Sequence, residues 1–492
     1  MRNWPKHPRI YEINTWLWLE ELSRTFGYEV TLADVPQETW NSFVPLSLDA
    51  VWLMGVWERS PAGIGITMMD KDNQDEFRRV LPDFRVSDIA GSPYCVRRFE
   101  ADQRLGGASG LSSARKELAK RGLRLILDYV PNHVAPDHPW VTEHPEYFIH
   151  GTRDDLLNDP ASYREVGENI LACGRDPFFP AWKDVLQLNS FNPGARKEAV
   201  ETVLSIAASC DGIRCDMAML LINDVFQRTW GERAGKNPGT EFWPELIMTV
   251  KKYFPYFLFI AEAYWDLEWP LLQHGFDYCY DKRLYDRLSG ENAESVRYHL
   301  RADLAYQEKL VRFIENHDEP RAASLFSPDK ARAAALVMAT VPGAKLFHDG
   351  QMEGRRIRVP IILARRPDEP VDHELKSFYA RLFQVIDSPS IREGTWRLLD
   401  ISGWPDNSRW MNIVAWSWQK GKDNCLIVVN LSDTRSQARI HLSGVNLAGR
   451  MTRLTDLMNN EIYERSGNEM AEIGLYVDLD PWTYHVLMFE DA

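Results

Sequence analysis

The chain has 492 residues, 45 % of them hydrophobic and 12 % aromatic, which is enough to bury the cores of two or three domains. Its 57 basic and 71 acidic residues leave a net charge of −14, which argues against nucleic acid, an anionic membrane or a polyanionic substrate and favours neutral or small polar ligands. The opening stretch MRNWPKHPRIYEINTWLWLEELSR has no continuous apolar segment and no small-residue cleavage site, and no membrane-length apolar run follows. The six cysteines (95, 173, 210, 215, 279 and 425) have no CxxC spacing, and are expected to be buried free thiols of a cytoplasmic protein.

Eight short apolar runs read as strands in chain order: IYEINTW, LDAVWLMGV, LRLILDYV, DGIRCDMA, YFLFIAEAYW, FDYCYD, KLVRFIENHD and AKLFHDG. Helical patterns separate several of them. Gly122 closes the helix before LRLILDYV. ARKEAVETVLSIAAS presents Val200, Val203, Leu204 and Ala207 as one apolar face. Pro244 opens a helix before ELIMTVKKY, and Ser327 with Pro328 caps another. Eight strands with helical crossovers predict an α/β fold, a (β/α)₈ TIM barrel over residues 1–390. A segment at about 132–186, after the third strand, is rich in Pro, Asp and aromatics with little periodicity, and is expected to sit over the barrel mouth as a short inserted domain. From 391 to 492 alternating strands without helices predict a separate all-β sandwich.

Within this frame, four strand ends carry ionisable residues in apolar surroundings. DGIRCDMAM places Arg214 and Asp216 two apart, on one face of a strand. The same alternation turns Cys215 away from that face. LILDYVPNH ends in Asp128, Asn132 and His133; LFIAEAYW carries Glu262; FIENHDEPR ends in His317, Asp318 and Arg321. Buried charges are costly unless paired, and the C-terminal ends of barrel strands converge on one pocket. Singly, each of these residues reads equally well as a satisfied core group. Together they read as an active site.

These four stretches, DYVPNH, GIRCDMAM, AEAYW and ENHDEPR, resemble in order and spacing the four short conserved regions of the α-amylase family, glycoside hydrolase family 13. SDIAGSPYCV, LGG at 105–107, LQLN at 186–189 and PGAKLFHDGQMEG are similar to weaker family features. The resemblance implies double displacement at an α-glucosidic bond, with Asp216 as nucleophile, Glu262 as general acid/base and Asp318 as the carboxylate that stabilises the transition state. It also implies His133 and His317 on sugar hydroxyls and Tyr94 stacked on the sugar ring. Asp128 and Arg321 would bound the pocket and pair with neighbours; these five with Arg214 form the expected substrate-binding set. Arg214 is expected to hold Asp216 ionised. Glu262, with no cation adjacent in sequence, is expected to be pushed towards its protonated form by burial and nearby carboxylates.

The departures from the family pattern bear on substrate. Met219 and Leu220 replace a Lys-His pair used in the next sugar subsite and in calcium binding, so no cofactor is expected, although Asn132, a calcium-site residue, is present. Arg97 or Arg98 replaces an acidic residue after Tyr94. With the short insertion, this points to short oligosaccharides or small glucosides as the carbohydrate partner. Three readings stay open: a retaining hydrolase, a transglycosylase with the same catalytic residues, and a catalytically silent binding relative.

Overall fold

A computed structural model describes residues 3–442, 447 and 449–490. All eight expected barrel strands form: β1 (Arg9–Asn14), β2 (Ala50–Met54), β3 (Arg124–Tyr129), β4 (Gly212–Cys215), β5 (Leu258–Ala261), β6 (Tyr278–Tyr280), β7 (Leu310–Arg312) and β8 (Ala344–His348). They close into one barrel in sequential order. Every residue of β1, β2, β4, β5 and β8 is buried. That explains runs of hydrophobics without alternation, since both faces of a barrel strand are covered.

The chain divides into two compact units. One consists mainly of Ile10–Tyr280 with Arg358–Asp368; the other contains Pro5–Arg9, Asp281–Ile357 and the residues from Glu369 on. In the first unit, the register sets Trp52 opposite Ile126, Asp128 opposite Arg214, and Cys215 opposite Ala261. The helix Thr15–Phe26 is capped by Asn14, whose side chain accepts from the N–H groups of Trp16 and Leu17, and it ends at Gly27 with φ 76°. Gly107–Lys120 is followed by Gly122 at φ 75°, the left-handed residue expected there.

Two helices differ in detail from expectation. Pro193–Ser209 buries Ala199, Val203, Ile206 and Ala207, while Val200 and Leu204 lie on the flank. Small alanines let the helix lie closer than its larger flanking residues would. The helix expected from Pro244 starts at Phe242. A proline in the first turn removes only an N–H that has no intrahelical partner anyway.

The inserted segment is more regular than its composition indicates. His133–Val134, Trp182–Gln187, Asn169–Gly174 and Tyr163–Val166 form a four-stranded sheet in that order. In the second unit, Pro328–Thr340 is capped by Ser327 as expected. A six-stranded and a three-stranded antiparallel sheet follow, sharing a core that includes Ile413, Leu426, Val428, Ile440 and Val477. Of the alternating stretch QARIHLS at 437–443, residues 437–440 lie in the strand Ser436–Ile440, and Ser443 lies outside the described residues. An α-helix, Gly467–Ile473, and a 3₁₀ helix, Ser408–Asn412, interrupt this otherwise all-β region. All six cysteines are buried and free. Among the described residues no helix is long and apolar enough to cross a membrane.

Candidate active site

The strand register brings two carboxylates together. Beyond Cys215 opposite Ala261, the next residues are Asp216 and Glu262. The N–H of Glu262 donates to the Cys215 carbonyl (3.0 Å) and that of Asp216 to the Tyr129 carbonyl (2.8 Å), so the ladder runs one residue past each strand. Both side chains are buried. Arg214 lies between them. Its Nη1 donates to Asp216 Oδ1 at 2.7 Å, and its Nη2 lies 2.9 Å from Glu262 Oε1 in an ion-pair contact that is not well directed as a hydrogen bond. The rings of Trp52, Tyr94 and Tyr280 surround the guanidinium, with centroids 5.5, 5.2 and 5.6 Å from Cζ. Burial works against the charge, but attraction from Glu262, the two tyrosines and Asp216 outweighs it and raises the Arg214 pKa further. Arg214 is a permanent cation.

This corrects one expectation. No cation neighbours Glu262 in sequence, but the adjacent strand delivers Arg214 to it. Two further donors converge: the Met217 N–H reaches Oε2 at 2.5 Å and the Tyr264 hydroxyl reaches Oε1 at 2.9 Å. Three donors around one carboxyl group oppose the effect of burial. Met217 presents its N–H from a left-handed conformation (φ 43°), which is uncommon for a residue with a side chain and typical of functional sites. Sequence reading missed Met217 because its contribution is a backbone atom. Tyr264, two residues after Glu262, could have been found from strand alternation. Cys215 stays out of the chemistry, because burial pushes its thiol far above the range where a thiolate forms.

Of the expected substrate-binding residues in this unit, His133 and Tyr94 are brought together, because the His133 ring is hydrogen-bonded to the backbone of Tyr94. Trp182 packs against the same imidazole, ring centroids 5.1 Å apart. Burial lowers the His133 pKa from 6.5 to about 4, so the ring is neutral at ordinary pH and binds by hydrogen bonds and contact rather than by charge. Asp128 is fully buried, and its Oδ2 accepts the Gly55 N–H at 2.8 Å. It fixes the turn after β2.

In the other unit, His317 and Asp318 follow β7, and His317 Nε2 lies 3.0 Å from Asp318 Oδ2. The imidazole is buried, whereas the Asp318 side chain is 41 % exposed. Arg321 is buried and pairs with Glu315 at 2.7 Å, also donating to His348 Nδ1 (2.9 Å) and the Asp349 carbonyl (2.8 Å). It is a supporting group, and Glu315, its partner, was not singled out from sequence.

Calcium at Asn132 does not fit the residues present. Gln187 Nε2 donates to Asn132 Oδ1, to the Asn132 carbonyl and to the Leu188 carbonyl, each at 2.9 Å. An amide NH₂ thus faces the oxygens a cation would need. Met219 and Leu220 are buried and supply no oxygen ligand from their side chains. Chelation is therefore expected to leave activity and melting temperature little changed. A large loss with EDTA, restored by Ca²⁺, would show the opposite.

No protein-family model matches the chain. It is 27 % identical over 394 residues to the α-amylase MalA of Haloarcula japonica, covering 77 % of this chain and 48 % of that protein. It is 25 % identical over 211 residues to an α-1,4-glucan:maltose-1-phosphate maltosyltransferase of Bifidobacterium longum, covering 42 % of this chain and 20 % of the other. The chain spans about half the length of the curated relatives it matches first. In fold it is similar to the maltogenic α-amylase AmyB of Thermotoga neapolitana, with a TM-score of 0.70, 18 % identity, and coverage of 98 % of this chain and 99 % of that one. Four ordered strand-end motifs, the closed barrel with its antiparallel C-terminal sheets, and these likenesses support the assignment of the chain to the α-amylase family.

Proposed function

We propose that the chain is a retaining α-glycoside hydrolase acting on α-glucosidic bonds of short oligosaccharides or small glucosides. The observation that carries this reading is the single guanidinium of Arg214 contacting both Asp216 and Glu262. Two carboxyl groups bridged by one arginine lie close, which favours the separation of about 5–5.5 Å used in double displacement over the 6.5–9.5 Å that admits a water between them. Asp216, ionised by its bond to Arg214, attacks the anomeric carbon while a proton from Glu262 goes to the departing oxygen. Glu262 then takes a proton from the water that releases the sugar from Asp216. Asp318 stabilises the positive charge that develops on the sugar, with His317 holding its carboxylate. His133 and Tyr94 contact the sugar in the same step. Buried Met219 and Leu220 offer no polar group for a longer substrate, which supports a small one.

The likeness to maltosyltransferases favours a second reading, in which another hydroxyl or a phosphate replaces water in the second step. A silent relative fits poorly with a carboxylate pair held by so many donors. Two inversions give net retention, so the first sugar released is expected to be the α-anomer whichever acceptor is used. Proton NMR of the earliest product tests this, and an initial β-anomer would overturn the double displacement.

A further inference from the structure

The segment Arg358–Asp368, RVPIILARRPD, belongs to the first unit, although the chain on either side of it belongs to the second. There it grips the stretch just ahead of Tyr94. The Ile362 carbonyl accepts the N–H groups of both Ala90 (2.8 Å) and Gly91 (3.1 Å), and the Ala364 N–H donates to the Asp88 carbonyl at 2.7 Å. Leu363, fully buried, pairs with Ile89 in an isolated antiparallel bridge. Charge reinforces these backbone contacts. Arg365 forks onto Asp88, Nε to Oδ1 at 3.0 Å and Nη2 to Oδ2 at 2.8 Å, and also reaches Asp83 at 3.1 Å. Burial alone would raise the Asp88 pKa, but Arg365 and the Arg85 N–H lower it, so the fork joins two charges. The other two arginines of the segment are paired as well, Arg358 with Glu76 and Arg366 with Glu21. Packing alone would account for the buried Leu363. It does not call for a carbonyl that accepts twice and a forked ion pair, both converging on the four residues Asp88–Gly91.

Only two residues separate this grip from Tyr94. Pro93 has its φ fixed by its ring, and Ser92 Oγ accepts the Tyr94 N–H at 3.2 Å. From the other side Arg59 Nη1 holds the Gly91 carbonyl at 3.0 Å. A displacement at Asp88–Gly91 is therefore passed on to Tyr94 rather than absorbed. The Tyr94 ring lies 5.2 Å from Arg214 Cζ, and its backbone holds the His133 ring. We propose that Arg358–Asp368 is a buttress that sets Tyr94 against the sugar, with Arg365 and Asp88 as positioning residues. This rests on the role given above to Tyr94. Both residues act through the backbone and touch no reacting atom. A stacked ring contributes only where its face meets the C–H face of the sugar, and a misplacement of about 1 Å is enough to lose much of that contact. The buttress therefore governs how tightly the sugar is held more than how fast its bond breaks.

The test is a double-mutant cycle in the full-length chain between Arg365→Ala and Tyr94→Ala, read on maltotriose. Arg365→Ala alone is expected to lower kcat/KM by about tenfold, the worth of one charge-assisted hydrogen bond. The loss should lie in KM, with kcat within about twofold of wild type. On the Tyr94→Ala background the same change should cost less than about twofold, because the ring it positions is gone. An equal loss on both backgrounds, or no loss in the wild type, would overturn the buttress. Arg365→Gln repeats the cycle should the alanine variant not fold. Hydrogen exchange followed by mass spectrometry gives a reading that does not depend on activity. The amides of residues 89–94 should exchange about tenfold faster in the Arg365 variants, and unchanged exchange overturns the buttress by itself. If exchange quickens while Tyr94→Ala keeps the wild-type kcat/KM, it is the sugar contact given to Tyr94 that fails.

Discussion

Asp216→Asn is expected to abolish turnover, by on the order of 10⁴-fold or more, with the fold retained. The reason is chemical. An amide cannot form the glycosyl ester, and Asp216 is the carboxylate that Arg214 holds through Nη1. The replacement keeps an oxygen to accept that bond at 2.7 Å, so the buried guanidinium keeps a partner and still has Glu262 beside it. The melting temperature should therefore move by a few degrees only, which circular dichroism would read. A 2-deoxy-2-fluoro or 5-fluoro glycosyl fluoride slows the second step more than the first and should leave its sugar on Asp216. Peptide mass mapping that found the label on any other residue would overturn the assignment.

What was legible in the sequence follows from which forces act locally. Eight strands could be read because a barrel strand is buried on both faces, so most of its run is apolar. Asp216, Glu262 and Asp318 stood out because each breaks or ends such a run. The pairing of Arg214 with Asp216 was legible too, since two residues along a strand share a face. The contact of Arg214 with Glu262 was not, because it depends on the register of β4 against β5, set by pairing between segments more than forty residues apart in the chain. The Met217 N–H escaped because any residue supplies one, and only the left-handed turn aims it. The sheet of the inserted segment escaped because its strands are short: His133–Val134 has two residues and Tyr163–Val166 four, too few for alternation to emerge. The buried face of Pro193–Ser209 was misplaced by one step, because pattern reading weights large side chains and this helix packs through alanines.

Sharing Arg214 gives the pair of carboxyl groups a common logic. With one proton between them, the two groups and the guanidinium are neutral as a set, and the acid/base role proposed for Glu262 requires that proton on Glu262 when substrate binds. Once the sugar is attached, Asp216 is an uncharged ester. Arg214 then has Glu262 as its remaining anion, which favours ionised Glu262 when a base is needed. The same arginine thus assists a reversal of role between the two steps. In the wild type, kcat/KM is expected to follow a bell-shaped pH profile whose two limbs report the pair rather than either residue alone.

Glu262→Gln separates those two steps. On substrates whose leaving group is a sugar alkoxide, kcat/KM is expected to fall by about 10² to 10⁴, the usual worth of a general acid. On α-glucosyl fluoride, where the leaving group departs without full protonation, kcat/KM should fall by roughly tenfold or less. The kcat for the fluoride should nevertheless drop steeply, because water attacking the ester has lost its base, and the glycosyl-Asp216 species should accumulate to a level mass spectrometry detects. Some stability is lost as well. Glu262 Oε2 accepts from the Met217 N–H and Oε1 lies against the Arg214 guanidinium as well as the Tyr264 hydroxyl, so an amide must turn its NH₂ towards one of these N–H donors; that costs about 1–3 kcal/mol. Such a loss acts on all substrates alike, and the difference between leaving groups is therefore the decisive reading. An equal loss of kcat/KM on fluoride and oligosaccharide would mean that Glu262 only holds Arg214 and Tyr264 in place, and that the proton comes from elsewhere.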